Sequence, residues 1–564
     1  MKLVLAILLF LLVAVIHSPS DNSRSHARSM VITRFGIVAT SQSLASAAGA
    51  SILEQGGNAV DAAIAANAVL GVVDPGSNGI GGDLFAMVYE SQSGKLYGLN
   101  ASGWAPRNLS INWLENRGIH SMPQTGIHSV TVPGCVAGWE ALRRKLGRLD
   151  LPKILAPAIY YAKNGIPITE FISRDWEQAA GFLAGQPNTK ETYLPNGRSP
   201  AVGELFRNPD LASSLQRIAE KGRDGFYRGP TAEAILDVSH ENDGTLALSD
   251  LTDFEPEWVD PISTTYRGWK VYELPPNGQG VAVLIMLNLM EQFPLKDYGS
   301  HSAQALHIMI EAKKLAYADM LNYVGDPRFS KVPVAAMISK DLAEKRAHQI
   351  QPERANCQVP PSDLSSITHA YGGDTVYLST IDQEGNIVSL IQSNYNGFGS
   401  GLVARHTGFA LQNRGALFTL DRGRPNSLEP RKRPLHTIIP ALMEKDGIRI
   451  GFGIMGGWNQ AQAHAQFVSN VADFGMNVQE ALETARFSKP TFGGCDVLME
   501  SRVPEKVRAT LIQWGHDIRL LGPFSEGVGG GQAVMRDHQG RNYGGSDPRK
   551  DGEAIPQNPS WNQP

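Results

Sequence analysis

The sequence predicts an α+β protein of mixed helices and paired strands, and three observations carry that prediction. Gly36–Leu53 and Ala59–Val72 read as a short strand followed by alanine-rich helices, with Gly56-Gly57-Asn58 as the stop and cap between them. Helical spacing of apolar residues dominates from Leu151 to Val238 and returns over Gly280–Gln292 and His301–Asn322. Thr375–Ile381 and Ile387–Ser393 are β-rich runs joined by Asp382-Gln383-Glu384-Gly385-Asn386, the pattern of a hairpin with glycine in its turn.

Taken in chain order, the first element is an apolar run, Leu3–Ile16, behind Met1-Lys2. It is too short to span a bilayer as a helix and matches the central region of a secretory signal, so residues 1–28 are expected to be a signal peptide. That places the protein in the periplasm or outside the cell, with no stable membrane span; translation from Met30 would leave it in the cytoplasm. Further on, Ser129–Val132 reads as a strand entering Pro133-Gly134, and Gly138–Leu146 as a helix. Residues 356–374 have the character of a linker, with Pro360-Pro361, Ser365-Ser366 and Gly372-Gly373 and few large apolar side chains. The hairpin follows at once. With its turn centred near Glu384, antiparallel pairing matches positions that sum to 768, which sets Ser393 opposite Thr375.

Composition narrows the chemistry. The chain has 564 residues, 42% hydrophobic and 19% charged, with a formal charge of −4. Its closest candidate for a basic run, Arg431-Lys432-Arg433, is only three residues long and too short to track a phosphate backbone, which argues against nucleic acid as a partner. The three cysteines, Cys135, Cys357 and Cys495, are too few and scattered for a disulfide framework or zinc site and read as idle or buried thiols. No G-x-S-x-G, P-loop or H-E-x-x-H string occurs, and the fourteen histidines do not fall at ligand spacings. Neither a metal nor a cofactor is expected.

A threonine at a new N-terminus needs none of these. Its own α-amine, with a reference pKa near 8, can take the proton of its hydroxyl at neutral pH. The remaining need is a pair of N–H donors for a tetrahedral oxyanion, and Gly456-Gly457 after the β-like run Ile448–Ile454 is a candidate supplier.

Several ordered blocks carry a resemblance: Glu54–Ala63, Gly79-Ile80-Gly81-Gly82-Asp83, Val132–Gly138, Pro275–Gly280, Gly373-Asp374-Thr375, Phe398–Gly401, Lys432–Leu435, Met455-Gly456-Gly457 and Ser546–Arg549. On these blocks the chain resembles the γ-glutamyltransferase (glutathione hydrolase) family of N-terminal nucleophile hydrolases, from about Arg34 onward. The resemblance implies a four-layer αββα sandwich and self-cleavage between Asp374 and Thr375. It would divide the chain into a large subunit, residues 29–374, and a small subunit, residues 375–564, which stay together as one fold. By the same resemblance Thr375 is the nucleophile, Gly456 and Gly457 form the oxyanion hole, and Ser393 stands where the family has a second threonine.

The substrate-binding positions depart from the family's pattern. Ser102 replaces the arginine that holds the glutamyl α-carboxylate. Tyr395, Arg414 and Leu417 stand where an Asn, a Gln and an Asp meet the α-amine, and His436 and Thr437 replace two serines. Losing the acidic partner of an ammonium group disfavours γ-glutamyl recognition. The sequence therefore resembles the family's acylase-like branch. The expected activity is amide cleavage through an acyl-enzyme, on γ-glutamyl compounds or on N-acyl amides of the cephalosporin or glutaryl type. A non-catalytic binding protein on the same fold is the alternative of a different class.

Overall fold

The structure, a computed structural model, describes residues 26–359 and 374–560. Most of the expected signal peptide and of the linker lies outside them.

Two seven-stranded sheets form the centre. The first runs in the order β1 (Val31–Thr33), β18 (Asn542–Ser546), β17 (Gly531–Arg536), β13 (Ile448–Ile454), β12 (Ala441–Lys445), β9 (Trp269–Glu273), β8 (Ile262–Tyr266). The second runs β19 (Glu553–Pro556), β2 (Ile37–Thr40), β10 (Asp374–Ile381), β11 (Ile387–Tyr395), β3 (Asp83–Glu90), β4 (Lys95–Ala101), β7 (Glu257–Val259). Every pairing within these two sheets is antiparallel. Two small sheets complete the set: β14 (Phe487–Ser488), β15 (Asp496–Glu500) and β16 (Asp517–Leu521), and the pair β5 (Ile166–Pro167) and β6 (Leu205–Phe206).

Side-chain alternation explains the layering. On β10, Tyr377 and Ile381 join a core shared with Leu442 and Val534 of the first sheet, so they fill the space between the sheets. Val376 and Leu378 point the other way, into a core built with the helices Ser43–Glu54 and Ala59–Val73. Ile450, Phe452 and Ile454 of β13 likewise face the helices Gly280–Met290, Ala303–Tyr323 and Gln460–Ala472. Strands buried on both faces are apolar almost throughout, as β11 shows with nine buried residues in succession. The result is an αββα four-layer sandwich. None of the described helices is long and apolar enough to cross a membrane.

The local expectations meet this fold with two corrections. Asn58 caps the helix Ala59–Val73 through a reciprocal box with Asp61, and the helices of the Leu151–Val238 region are present. Ser129–Val132 is not a strand: a short helical turn, Ile127–Ser129, precedes an irregular segment. That segment is held by two loop contacts in place of a ladder, Val132 N–H to the Trp104 carbonyl (3.0 Å) and Gly134 N–H to the Gly82 carbonyl (2.9 Å). The cysteines are not all idle thiols either. Cys357 and Cys495 are joined in a disulfide with their Cα atoms 4.9 Å apart, while Cys135 is a buried free thiol. A contact between residues 138 apart depends on the tertiary fold and leaves no local signature.

Candidate active site

The hairpin positions the central residue. From Val376↔Gln392 to Ile381↔Ile387 the β10–β11 partners sum to 768, and β10 is also paired to β2 from Leu378 to Ile381. The register shifts between Asp374 and Val376, where Asp374 pairs with Tyr395. Thr375 sits in this bulge, beyond the regular ladder, and its Oγ1 donates to Ser393 Oγ at 3.2 Å. Ser393 Oγ also accepts from the Tyr395 amide at 2.7 Å. Tyr395 is buried with φ +80°, a backbone conformation that side-chain-bearing residues seldom adopt and that clusters at functional sites. Burial pushes its phenol up to about 12, against the opposing pull of Arg414.

Thr375 opens onto a cavity of about 570 Å³ whose walls include Phe182, Tyr395, Met455, Gly456, Gly457 and Trp458. Gly456 and Gly457 follow β13 with φ +123° and +56°, where any side chain would be strained. Their loop is pinned from behind by two buried side chains that sequence reasoning missed. Gln279 Nε2 donates to the Gly457 carbonyl at 2.9 Å and also to the Thr437 carbonyl, and Tyr317 donates to the Trp458 carbonyl. Gln279 lay inside the Pro275–Gly280 block, but its role depends on contacts 158 and 178 residues away.

The expected substrate-binding residues divide. Tyr395 lines the cavity; Ser102, Arg414, His436 and Thr437 do not. Arg414 is fully buried against Asp83, with Nε–Oδ2 at 2.8 Å, and donates to Thr437 Oγ1 at 2.6 Å. Its guanidinium lies 4.7 Å from the centre of the Tyr395 ring. His436 Nε2 meets the same Asp83 oxygen at 2.8 Å, and its Nδ1 accepts from the Ile438 amide, so the ring is the neutral Nε2–H tautomer. Burial, then the neighbouring Arg414 charge, lowers the His436 pKa to about 4. Asp83 is desolvated, yet the Arg414 guanidinium and the hydrogen bonds from Arg414 and His436 outweigh this and hold its carboxyl below the usual range. Ser102 Oγ donates to Asn100, and Asn277 donates to Ser102, in a buried amide network.

Charge reaches the cavity from another side. Among the described residues lining it, Lys550 is the one cation, and it is engaged by Glu526 at 2.9 Å and Asp175 at 3.7 Å. Outside the lining of this cavity, His307, Glu311 and His516 bring their ligand atoms within 4.8 Å of one another, a grouping that sequence spacing did not reveal.

A strand led by threonine at the heart of an αββα sandwich, opening onto a glycine-lined cavity, defines an N-terminal nucleophile hydrolase. A family model described as Gamma-glutamyltranspeptidase matches residues 45–557. The chain is 36% identical to the glutathione hydrolase-like YwrD proenzyme of Bacillus subtilis (strain 168), over 91% of this chain and 96% of that protein. It is 34% identical to the oxamate amidohydrolase proenzyme of Klebsiella pneumoniae, over 93% and 99% of the two chains. The crystal structure of cephalosporin acylase from Bacillus halodurans matches with a TM-score of 0.87 and 40% identity, covering 96% of this chain and 99% of that one. The chain belongs to the gamma-glutamyltranspeptidase family and is an autoprocessed hydrolase or acyltransferase of that family's acylase-like branch.

Proposed function

We propose that Thr375 is the nucleophile and that the mature enzyme hydrolyses N-acyl amides in preference to γ-glutamyl compounds. In the precursor, Thr375 Oγ attacks the Asp374 carbonyl, the acyl group moves from nitrogen to oxygen, and water hydrolyses the ester. This frees the Thr375 α-amine and leaves subunits 29–374 and 375–564. In turnover that amine takes the hydroxyl proton, Thr375 Oγ attacks the substrate carbonyl, and the Gly456 and Gly457 amides hold the oxyanion. The leaving amine takes the proton, and water then releases the acyl group.

One observation carries the acyl preference: the cavity beside Thr375 is walled by Phe182, Met455 and Trp458, and among the described residues lining it the one cation, Lys550, is already engaged. Arg414 is committed to Asp83 and does not line it. The α-carboxylate of a γ-glutamyl head would enter this site with no free cation among the described lining residues to meet it, at a net desolvation cost. The acylase from Bacillus halodurans named above supports the same reading. As for localisation, an apolar N-terminal run and a disulfide both fit export to the periplasm or beyond.

The test is kcat/KM on a γ-glutamyl anilide beside glutaryl and aliphatic acyl amides, with subunit formation followed on denaturing gels. Aliphatic acyl amides should be preferred at least tenfold, Thr375→Ala should remain one chain, and Thr375→Ser should process more slowly. Preference for the γ-glutamyl anilide would overturn the specificity, and normal processing of Thr375→Ala would overturn the nucleophile.

A further inference from the structure

We infer that the Cys357–Cys495 disulfide is a covalent tie between the two subunits of the mature enzyme. The inference rests on the processing proposed above. Cys357 lies 17 residues before Asp374 (374 − 357) and Cys495 lies 120 residues after Thr375 (495 − 375). In the precursor the bond closes a loop within one chain; once the Asp374–Thr375 bond is cut inside that loop, the same two sulfurs belong to different chains. Processing then converts an internal cross-link into an inter-subunit one without moving an atom of it.

Both cysteines are held in place by contacts that do not depend on the bond. One face of the helix Ala303–Tyr323 grips the segment leading to Cys357 at three successive turns. His307 Nε2 meets the Gln351 carbonyl at 2.7 Å. The Asn356 amide donates to Glu311 Oε2 at 3.2 Å, and the Lys314 ammonium donates to the Asn356 carbonyl at 3.1 Å. The Ala355 amide adds a bond to the Trp514 carbonyl at 2.7 Å. On the other side the Asp517 amide donates to the Cys495 carbonyl at 2.8 Å, where β15 begins beside β16. The Lys314 ammonium lies 3.6 Å from Cys495 Sγ, so one buried side chain touches Cys495 and the residue that precedes Cys357. The 4.9 Å Cα separation falls inside the range that disulfides need.

The tie acts after processing. Once the mature enzyme unfolds, a non-covalent pair of subunits drifts apart, whereas a linked pair refolds at an effective concentration of order mM. Such a bond persists in an oxidising compartment, which matches a chain carrying an export-like N-terminal run.

The experiment is denaturing electrophoresis of the mature enzyme, alkylated at once with iodoacetamide, with and without dithiothreitol. Without reductant the two subunits should run as one species, and with reductant as two. Two species without reductant would overturn the tie while leaving the processing intact. One species under both conditions, carrying no N-terminus at Thr375, would overturn the processing and the inference with it. Thiol counting in denaturant gives an independent readout: one alkylated cysteine, Cys135, before reduction and three after; three before reduction would overturn the bond itself. Cys495→Ser should still process but separate into subunits without reductant, and its refolding yield should fall on dilution where that of the wild type does not. A Cys495→Ser enzyme whose subunits stay linked would assign the tie to another residue and overturn the pairing.

Discussion

Thr375 owes its chemistry to standing just outside a ladder. The paired residues Val376–Ile381 fix its backbone from one side, while the bulge lets its side chain turn toward Ser393 and the cavity. Ser393 Oγ accepts from both Thr375 and the Tyr395 amide, which aims a lone pair at the hydroxyl proton of the proposed nucleophile. Ser393→Ala should slow self-cleavage and turnover by roughly 10- to 100-fold, within the range of a proton-handling contact, and Ser393→Thr should restore most of both. A time course of subunit appearance and kcat on a cleaved acyl amide check this; an unchanged rate of processing would sink the role. The pairing of Thr375 with Ser393 was legible because a short turn fixes antiparallel register by addition. The bulge was not, since nothing in Asp374-Thr375-Val376 marks it. Nor was the Arg414–Asp83 pair, whose members are 331 residues apart.

At the scale of elements, the loop Gly79–Asp83 is a backing plate for β11. A Cβ on Gly82 would sit 2.5 Å from the Ser393 carbonyl oxygen and 2.4 Å from the Gln392 side chain, so glycine is required for this close approach. Gly82→Ala should therefore push the Ser393 strand away from Thr375, slowing processing more than it lowers the unfolding temperature. Equal processing of this variant and the wild type would show that the strand tolerates the shift. The loop of Gly456 and Gly457, proposed to hold the oxyanion, is treated the same way. His464 Nε2 accepts from the Ile454 amide at the end of β13, and Gln279 and Tyr317 hold the carbonyls of Gly457 and Trp458. Helices and strands with strong periodicity were readable in the sequence, β13 to the residue. Ser129–Val132 was misread because β-branched residues also suit an extended loop that borrows its hydrogen bonds from elsewhere.

For the whole molecule, the buried cluster behind the cavity sets a response to acid. His436 is neutral and its folded pKa, about 4, lies below an unfolded value near 6.5, so the unfolded chain binds the proton first. Its contribution is complete above pH 6.5 and is lost as pH falls toward 4, by on the order of 3 kcal/mol. Asp83, lowered below its usual range, acts in the same direction at still lower pH. Thermal unfolding of the mature enzyme should therefore shift downward between pH 7 and 4.5, with a shallower slope in His436→Asn. A flat profile in that window would contradict the buried neutral imidazole. The αββα arrangement itself was legible only through the family blocks, because strands buried on both faces lose the alternation that marks a half-exposed sheet.

The strand order carries one more consequence. Residues after Thr375 supply the middle of both large sheets, β10–β11 in one and β18–β17–β13–β12 in the other, while residues before Asp374 supply strands that flank them on both sides. Separating the two subunits would therefore break strand ladders in both sheets. Two populations of mature enzyme, one isotopically heavy and one light, would accordingly stay unmixed in native solution, each molecule keeping for life the two halves it was translated with.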